Sequence, residues 1–119
     1  MPQSAHTVLI VDDHPAFRAS ARRLLESEGY EVVGEAGDGA GAIEAVASLK
    51  PDLVLLDVQL PDIDGFEVAE QIGGAGAPQV LLVSSRDQSD FGPLLETAPV
   101  RGFISKSELT GAAIAELIS

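Results

Sequence analysis

The stretch DLVLLDVQLPDIDG, residues 52–65, runs from the apolar side chains at 53–56 into an aspartate, with two further acids close behind. A continuous apolar run of this length, bounded by turn formers, predicts a strand buried on both faces, and such strands belong to parallel sheets covered by helices on either side. Asp57 then falls at the carboxyl end of that strand. Pro61 and Gly65 shape the turn into a following helix. Asp62 and Asp64 take loop and helix-start positions, where acids meet the positive end of a helix dipole.

The same alternation extends in both directions. TVLIV (7–11), EVVGEA (31–36), QVLLVS (79–84) and GFIS (102–105) read as four more strands. Between them lie segments of helical period. PAFRASARRLLESEG places Phe17, Ala21, Leu24 and Leu25 on one face, with Pro15 in the first turn and Gly29 as a stop. AGAIEAVASL carries Ile43, Val46 and Ala47 on one stripe, and a helix from about Gly65 buries Phe66, Ala69 and Ile72 before GGAGAP (73–78) ends it. In DQSDFGPLLETAP (87–99) Gly92 and Pro93 interrupt the pattern, so that helix is short and starts at Pro93, or the segment is irregular. The last segment, SELTGAAIAELIS, offers Ser107 as an N-cap and turns Leu109, Ala113 and Leu117 inward. The expected fold is α/β: a doubly wound, flavodoxin-like five-stranded parallel sheet of order 2-1-3-4-5 with helices on both faces.

Composition bounds the function. The 119 residues suit one domain, and 45% apolar content is that of a globular chain. Nineteen acids against seven bases give a formal charge of -12, which repels nucleic-acid phosphates and anionic membrane surfaces. With no cysteine, thiolate chemistry and disulfides are excluded. No apolar run reaches the length of a membrane span and MPQSAHT lacks the basic flank of a signal peptide, so a cytoplasmic location with no membrane partner is expected.

In a doubly wound sheet, ligands bind beyond the carboxyl ends of the strands where strand order reverses. Those ends carry Asp12 and Asp13, then Asp57, Ser84 and Ser85, and finally Lys106. Two carboxylates 4 Å apart repel by about 4 kcal/mol at an effective dielectric near 20, so such a cluster calls for a cation. Oxygen donors favour a hard ion such as Mg²⁺, and a lysine with a hydroxyl beside it completes a site for a phosphoryl group, either bound or bonded to the protein.

The segments LIVDDHP (9–15), VLLDVQLPDIDGFE (54–67), VSSRD (83–87) and GFISK (102–106) together resemble the receiver domain of bacterial two-component response regulators, over about residues 7–118. The closest subclass precedes a helix-turn-helix output domain. The resemblance implies a single receiver domain over 1–119 that is no enzyme beyond its own phosphorylation and slow autodephosphorylation. It implies that Asp57 accepts a phosphoryl group from the phosphohistidine of a sensor kinase or phosphotransfer protein. Asp13, Asp57 and the Gln59 carbonyl would bind Mg²⁺, with Asp12 acting through water. Lys106 would contact the phosphoryl oxygens, while Ser84 and Phe103 would be the switch pair. The surface of the fourth helix, fifth strand and fifth helix would carry the output, with homodimerisation one use of it.

Plainer readings stand beside these. His14, lone and followed by Pro15, fits a helix-entry residue better than a metal ligand. Arg18, Arg22 and Arg23 form a basic patch on the first helix, an ordinary solvated face or a kinase-docking one. The alternative function is a small dinucleotide-binding domain, since GDGAGA (37–42) satisfies GxGxxA after a strand with Asp57 twenty residues beyond Gly37. Family members often carry a cis proline after the lysine; here Ser107 follows, where trans is expected.

Overall fold

Strands and helices alternate from Thr7 to Ile118: β1 (Thr7–Val11), α1 (Pro15–Ser27), β2 (Glu31–Ala36), α2 (Gly39–Leu49), β3 (Leu53–Asp57), α3 (Gly65–Ile72), β4 (Gln79–Ser84), α4 (Pro93–Thr97), β5 (Gly102–Ser105) and α5 (Gly111–Ile118). This computed structural model describes residues 6–73 and 77–118, so the middle of the GGAGAP stop lies outside the described residues; α3 ends at Ile72, ahead of it. The strands form one sheet in the order β2-β1-β3-β4-β5, and every pairing is parallel. Fold and order are those expected.

Period-two geometry explains why the central strands are apolar throughout. Leu9, Val11, Val54, Leu56, Val80 and Leu82 point to one face, where Ala42 of α2 and Val68, Ala69 and Ile72 of α3 cover them. Val8, Ile10, Leu53, Leu55, Leu81 and Val83 point to the other, against Ala21 and Leu25 of α1 and Ile114 of α5. Leu53, Leu55 and Leu56 are wholly buried, and each such side chain contributes about 1.5–3 kcal/mol. The sheet's middle is therefore rigid, and what it carries at its rim is held in place.

Helix details depart from the sequence pattern in α2, α3 and α5, while the short α4 starting at Pro93 follows it. On α2, Ala47 is exposed and Ala42 is the buried small residue, because the stripe through Ile43 and Val46 rotates away from position 47. On α3, Val68 is wholly buried while Phe66 is only partly so. Gly92 adopts φ +47 ahead of Pro93, which limits α4 to five residues after a 3-10 turn at Gln88–Asp90. Ser107 does not cap α5. Lys106–Glu108 forms a 3-10 turn, α5 starts at Gly111, and the Thr110 hydroxyl accepts the Ala113 N–H at 3.0 Å. We expect Thr110→Ala to lower stability by about 1 kcal/mol and Ser107→Ala by less than about 0.5 kcal/mol in urea denaturation. Equal losses would return the cap to Ser107.

No cis peptide bond occurs among the described residues, and Lys106–Ser107 is trans as expected. Nor, among them, is any helix long and apolar enough to cross a membrane.

Candidate functional site

β1 and β3 are neighbours, and strand order reverses there, with β2 on one side and β4 on the other. Asp57 is the last residue of β3 and paired in register with Val83; Asp12 and Asp13 follow β1 directly. Asp12 is wholly buried and Asp57 is 3% exposed, unusual for carboxylates without ligands. Lys106, just past β5, lays its Nζ 2.6 Å from Asp12 Oδ2 and 3.5 Å from Asp57 Oδ2. Four of the expected residues, from three strand ends, thus meet at one rim. Three of them, Asp13, Asp57 and Lys106, border a cleft of about 250 Å³ whose lining also includes His14, Gln59 and Ser85, with Asp12 buried behind it.

Charge in this pocket is only partly balanced. Burial, and after it the Asp12 charge, raises the Asp57 carboxyl from 3.8 to about 6, against the lowering pull of Lys106 and of the Gln59 N–H that it accepts at 3.3 Å. Asp12 Oδ2 is buried and held by the Lys106 ammonium, yet three carboxylates, Asp12, Asp13 and Asp57, face this one ammonium, and the shortfall of positive charge fits a cation site. One ligand atom from each of Asp12, Asp13, His14 and Asp57 lies within 4.8 Å of every other. The oxygen-rich donor set suits Mg²⁺.

A raised Asp57 pKa fixes the sign of a pH effect. The folded protein holds this proton more tightly than the unfolded chain, so the penalty of an ionised Asp57 is fully present above about pH 6 and is relieved as pH falls toward 3.8. Without divalent metal, wild type should gain stability relative to Asp57→Asn between pH 7.5 and 5 in urea denaturation. An unchanged difference would remove the charge strain from the site.

Ser84 is wholly buried, and its hydroxyl accepts the Arg86 N–H at 3.0 Å; the serine that lines the cleft is Ser85. Phe103 is partly buried and packs its ring against Phe91, centroids 5.5 Å apart. Asp64 caps its own helix by accepting the Glu67 N–H, as expected. Asp62 does something its local sequence does not announce. It reaches across to α2 and accepts the N–H groups of Gly39 at 2.8 Å and Ala40 at 2.9 Å, which lowers its carboxyl to about 2.

That contact removes the basis of the dinucleotide alternative. The amides that a phosphate would need at Gly39 and Ala40 already serve Asp62, and the Gly41 N–H serves Asp38. The glycine motif also follows β2, the edge strand, away from the reversal point. Two of the three arginines of the basic patch are likewise engaged: Arg18 and Arg22 bind the two oxygens of Glu35 at 3.0 and 2.8 Å, and the hydrogen bond from Arg22 is the main reason the Glu35 pKa is lowered.

Two supports of the site left no mark in the sequence, and a third residue does more than its helix-entry position suggested. Arg18 Nη1 donates to the Asp12 carbonyl at 2.6 Å, tying α1 to the acidic loop. The Phe17 ring lies under the Lys106 ammonium, 4.5 Å from centroid to Nζ, a cation–π contact. His14, expected only to open α1, stands at its N-cap but places Nδ1 3.2 Å from Asp12 and 3.0 Å from Asp13.

A family model described as the response regulator receiver domain matches residues 8–118. A protein described as a transcriptional regulator of Pseudomonas aeruginosa is 41% identical over 102 residues, 85% of this chain and 49% of that protein. The DNA-binding transcriptional activator EvgA of Escherichia coli K12 is 34% identical over 105 residues, 84% of this chain and 50% of its own length. The chain thus spans about half the length of the curated relatives it matches. Among solved structures, the signal receiver domain of the response regulator NarL from Mycobacterium tuberculosis superposes with a TM-score of 0.83 at 34% identity, covering 97% of this chain and 98% of that one.

Proposed function

The chain belongs to the response regulator receiver domain family, and from that premise we propose that it is the phospho-accepting switch of a two-component system, with Asp57 as the acceptor. The observation that carries this reading is the convergence of Asp12, Asp13, Asp57 and Lys106 on one cleft at the strand-order reversal. A carboxylate is a weak nucleophile, and phosphoryl transfer asks mainly for alignment and charge neutralisation. β3 supplies the alignment, because Asp57 ends a strand with no freedom to shift. An Asp57 oxygen attacks phosphorus as the bond to the donor's imidazole nitrogen breaks, so the phosphoryl group passes from histidine to aspartate. Lys106, already within reach of Asp57, takes up the charge of the phosphoryl oxygens.

Asp13, Asp57 and the Gln59 carbonyl would hold Mg²⁺, with Asp12 reaching it through water. The ion neutralises phosphoryl charge when bound. The new group brings about -1.5 to -2 of charge and three acceptor oxygens. These draw the Ser84 hydroxyl from its Arg86 partner and bias the loop after β4, and Phe103 turns inward behind it. The face of α4, β5 and α5 then changes, for output or homodimerisation. The donor is a sensor histidine kinase or phosphotransfer protein, and the setting is the cytoplasm. Relatives are described as transcription regulators, EvgA as DNA-binding, which supports a switch that serves transcriptional control, as in the subclass whose receiver precedes a helix-turn-helix domain. The charge of -12 argues against nucleic-acid contact by this segment.

With Mg²⁺ and a small acyl phosphate, intact-mass measurement should show one phosphoryl adduct per chain, and EDTA should abolish it. An adduct formed equally well in chelator would take the divalent ion out of the reaction.

A further inference from the structure

The cleft holds a nitrogen donor for which phosphoryl transfer to Asp57 has no use. His14 is set there by the backbone. Its extended conformation (φ -102, ψ 110) precedes Pro15, and its own N–H donates to Asp12 Oδ1 at 2.8 Å, a short-range tether that turns the ring back over the acids. Nδ1 then lies 3.0 Å from Asp13 Oδ1 and 3.2 Å from Asp12 Oδ1.

A metal with bonds of about 2.1 Å places opposite ligands about 4.2 Å apart. The four candidate donors already lie within 4.8 Å of one another, so closure around an ion needs only small side-chain movements. Asp12 Oδ2, buried and 2.6 Å from the Lys106 ammonium, already holds a cation, so the site is built for positive charge. Three oxygens and an imidazole differ in kind from an all-oxygen site. Imidazole suits zinc, copper, iron and nickel, whereas carboxylate and carbonyl oxygens suit magnesium.

We propose that His14 is a metal ligand that makes this cleft a site for late first-row divalent ions, nickel and zinc among them, bound more tightly than Mg²⁺. The proposal rests on the reading of the cleft as a divalent-cation site and adds the choice of ion. His14 is 69% exposed at its side chain, so its replacement leaves the core intact.

The experiment is calorimetric titration of untagged protein with Ni²⁺ and, separately, with Mg²⁺, on wild type, His14→Gln and His6→Gln. Wild type should bind Ni²⁺ more tightly than Mg²⁺. His14→Gln should lower the Ni²⁺-to-Mg²⁺ affinity ratio by about tenfold or more, since even groups that merely orient a ligand carry that much. Nitrogen hyperfine structure in the Cu²⁺ electron paramagnetic resonance spectrum should vanish in His14→Gln and persist in His6→Gln. If Mg²⁺ binds and His14→Gln keeps the wild-type ratio, the nitrogen ligand is refuted while the cation site stands. Loss of the nitrogen signal in His6→Gln instead refutes it too. If wild type binds neither ion, the underlying reading fails.

Discussion

Asp57→Asn is expected to abolish the phosphoryl adduct altogether while leaving a folded and more stable protein. An amide oxygen is no nucleophile toward phosphorus, and no other aspartate ends a strand at this point of the sheet. Asp13 sits beyond β1 on the loop, and Asp12 has its Oδ2 against Lys106 and its Oδ1 on the His14 N–H. Stability should rise at neutral pH in the absence of metal because the substitution removes a charge that burial and Asp12 both oppose. The gain is on the order of 1–3 kcal/mol, the scale of relieving an imperfectly paired buried charge. The two readouts are independent. A phosphoryl adduct persisting in Asp57→Asn would move the acceptor to another residue; a loss of stability would mean that Asp57 is better compensated than its surroundings indicate.

Gly65→Ala is expected to damage both the fold and the cleft, although alanine is the better helix former by up to about 1 kcal/mol. Gly65 opens α3 directly behind the acceptor. A Cβ there would stand 2.5 Å from the Asp57 carbonyl oxygen and 2.9 Å from Val58 Cα, and the Gly65 N–H donates to the Val58 carbonyl at 2.7 Å. Those are backbone atoms of the strand end, which cannot rotate aside. The expected cost is about 1–3 kcal/mol, the range for overpacking a tight interior, with Mg²⁺ affinity reduced because Asp57 is displaced. Gly37→Ala serves as control. Its Cβ would come no nearer than 3.4 Å to the Arg18 guanidinium, an ordinary contact, so the change should stay within about 0.5 kcal/mol. Equal urea midpoints for the two variants would show that the approach of α3 to β3 tolerates a methyl group.

These two glycines show where reading a sequence stops. Both follow a strand and both look like loop glycines, and only the packing of α3 onto β3 separates them. The acids behave differently. Asp12, Asp13 and Asp57 were legible because each follows an apolar strand directly, and strand ends in a parallel sheet share one rim. Lys106 was legible for the same reason. Asp64 was readable as a cap since it acts three residues away, on Glu67. Asp62 was not, because its partners at Gly39 and Ala40 lie 23 and 22 positions back in the chain and become neighbours only when α2 and α3 pack side by side. The sequence pattern puts the cap of α5 at Ser107, but the 3-10 turn after Lys106 takes up that residue and moves the cap to Thr110.

Strand and helix placement, the parallel order and the acidic rim follow from apolar periodicity and from where carboxylates interrupt it. These are short-range properties, and backbone geometry propagates them without reference to distant residues. The ring of Phe17 under Lys106, the hold of Arg18 on the Asp12 carbonyl and the capping of α2 by Asp62 depend instead on how helices settle against the sheet. Each joins groups from separate elements, at distances of a few ångströms that the register of packed side chains sets and no local pattern encodes.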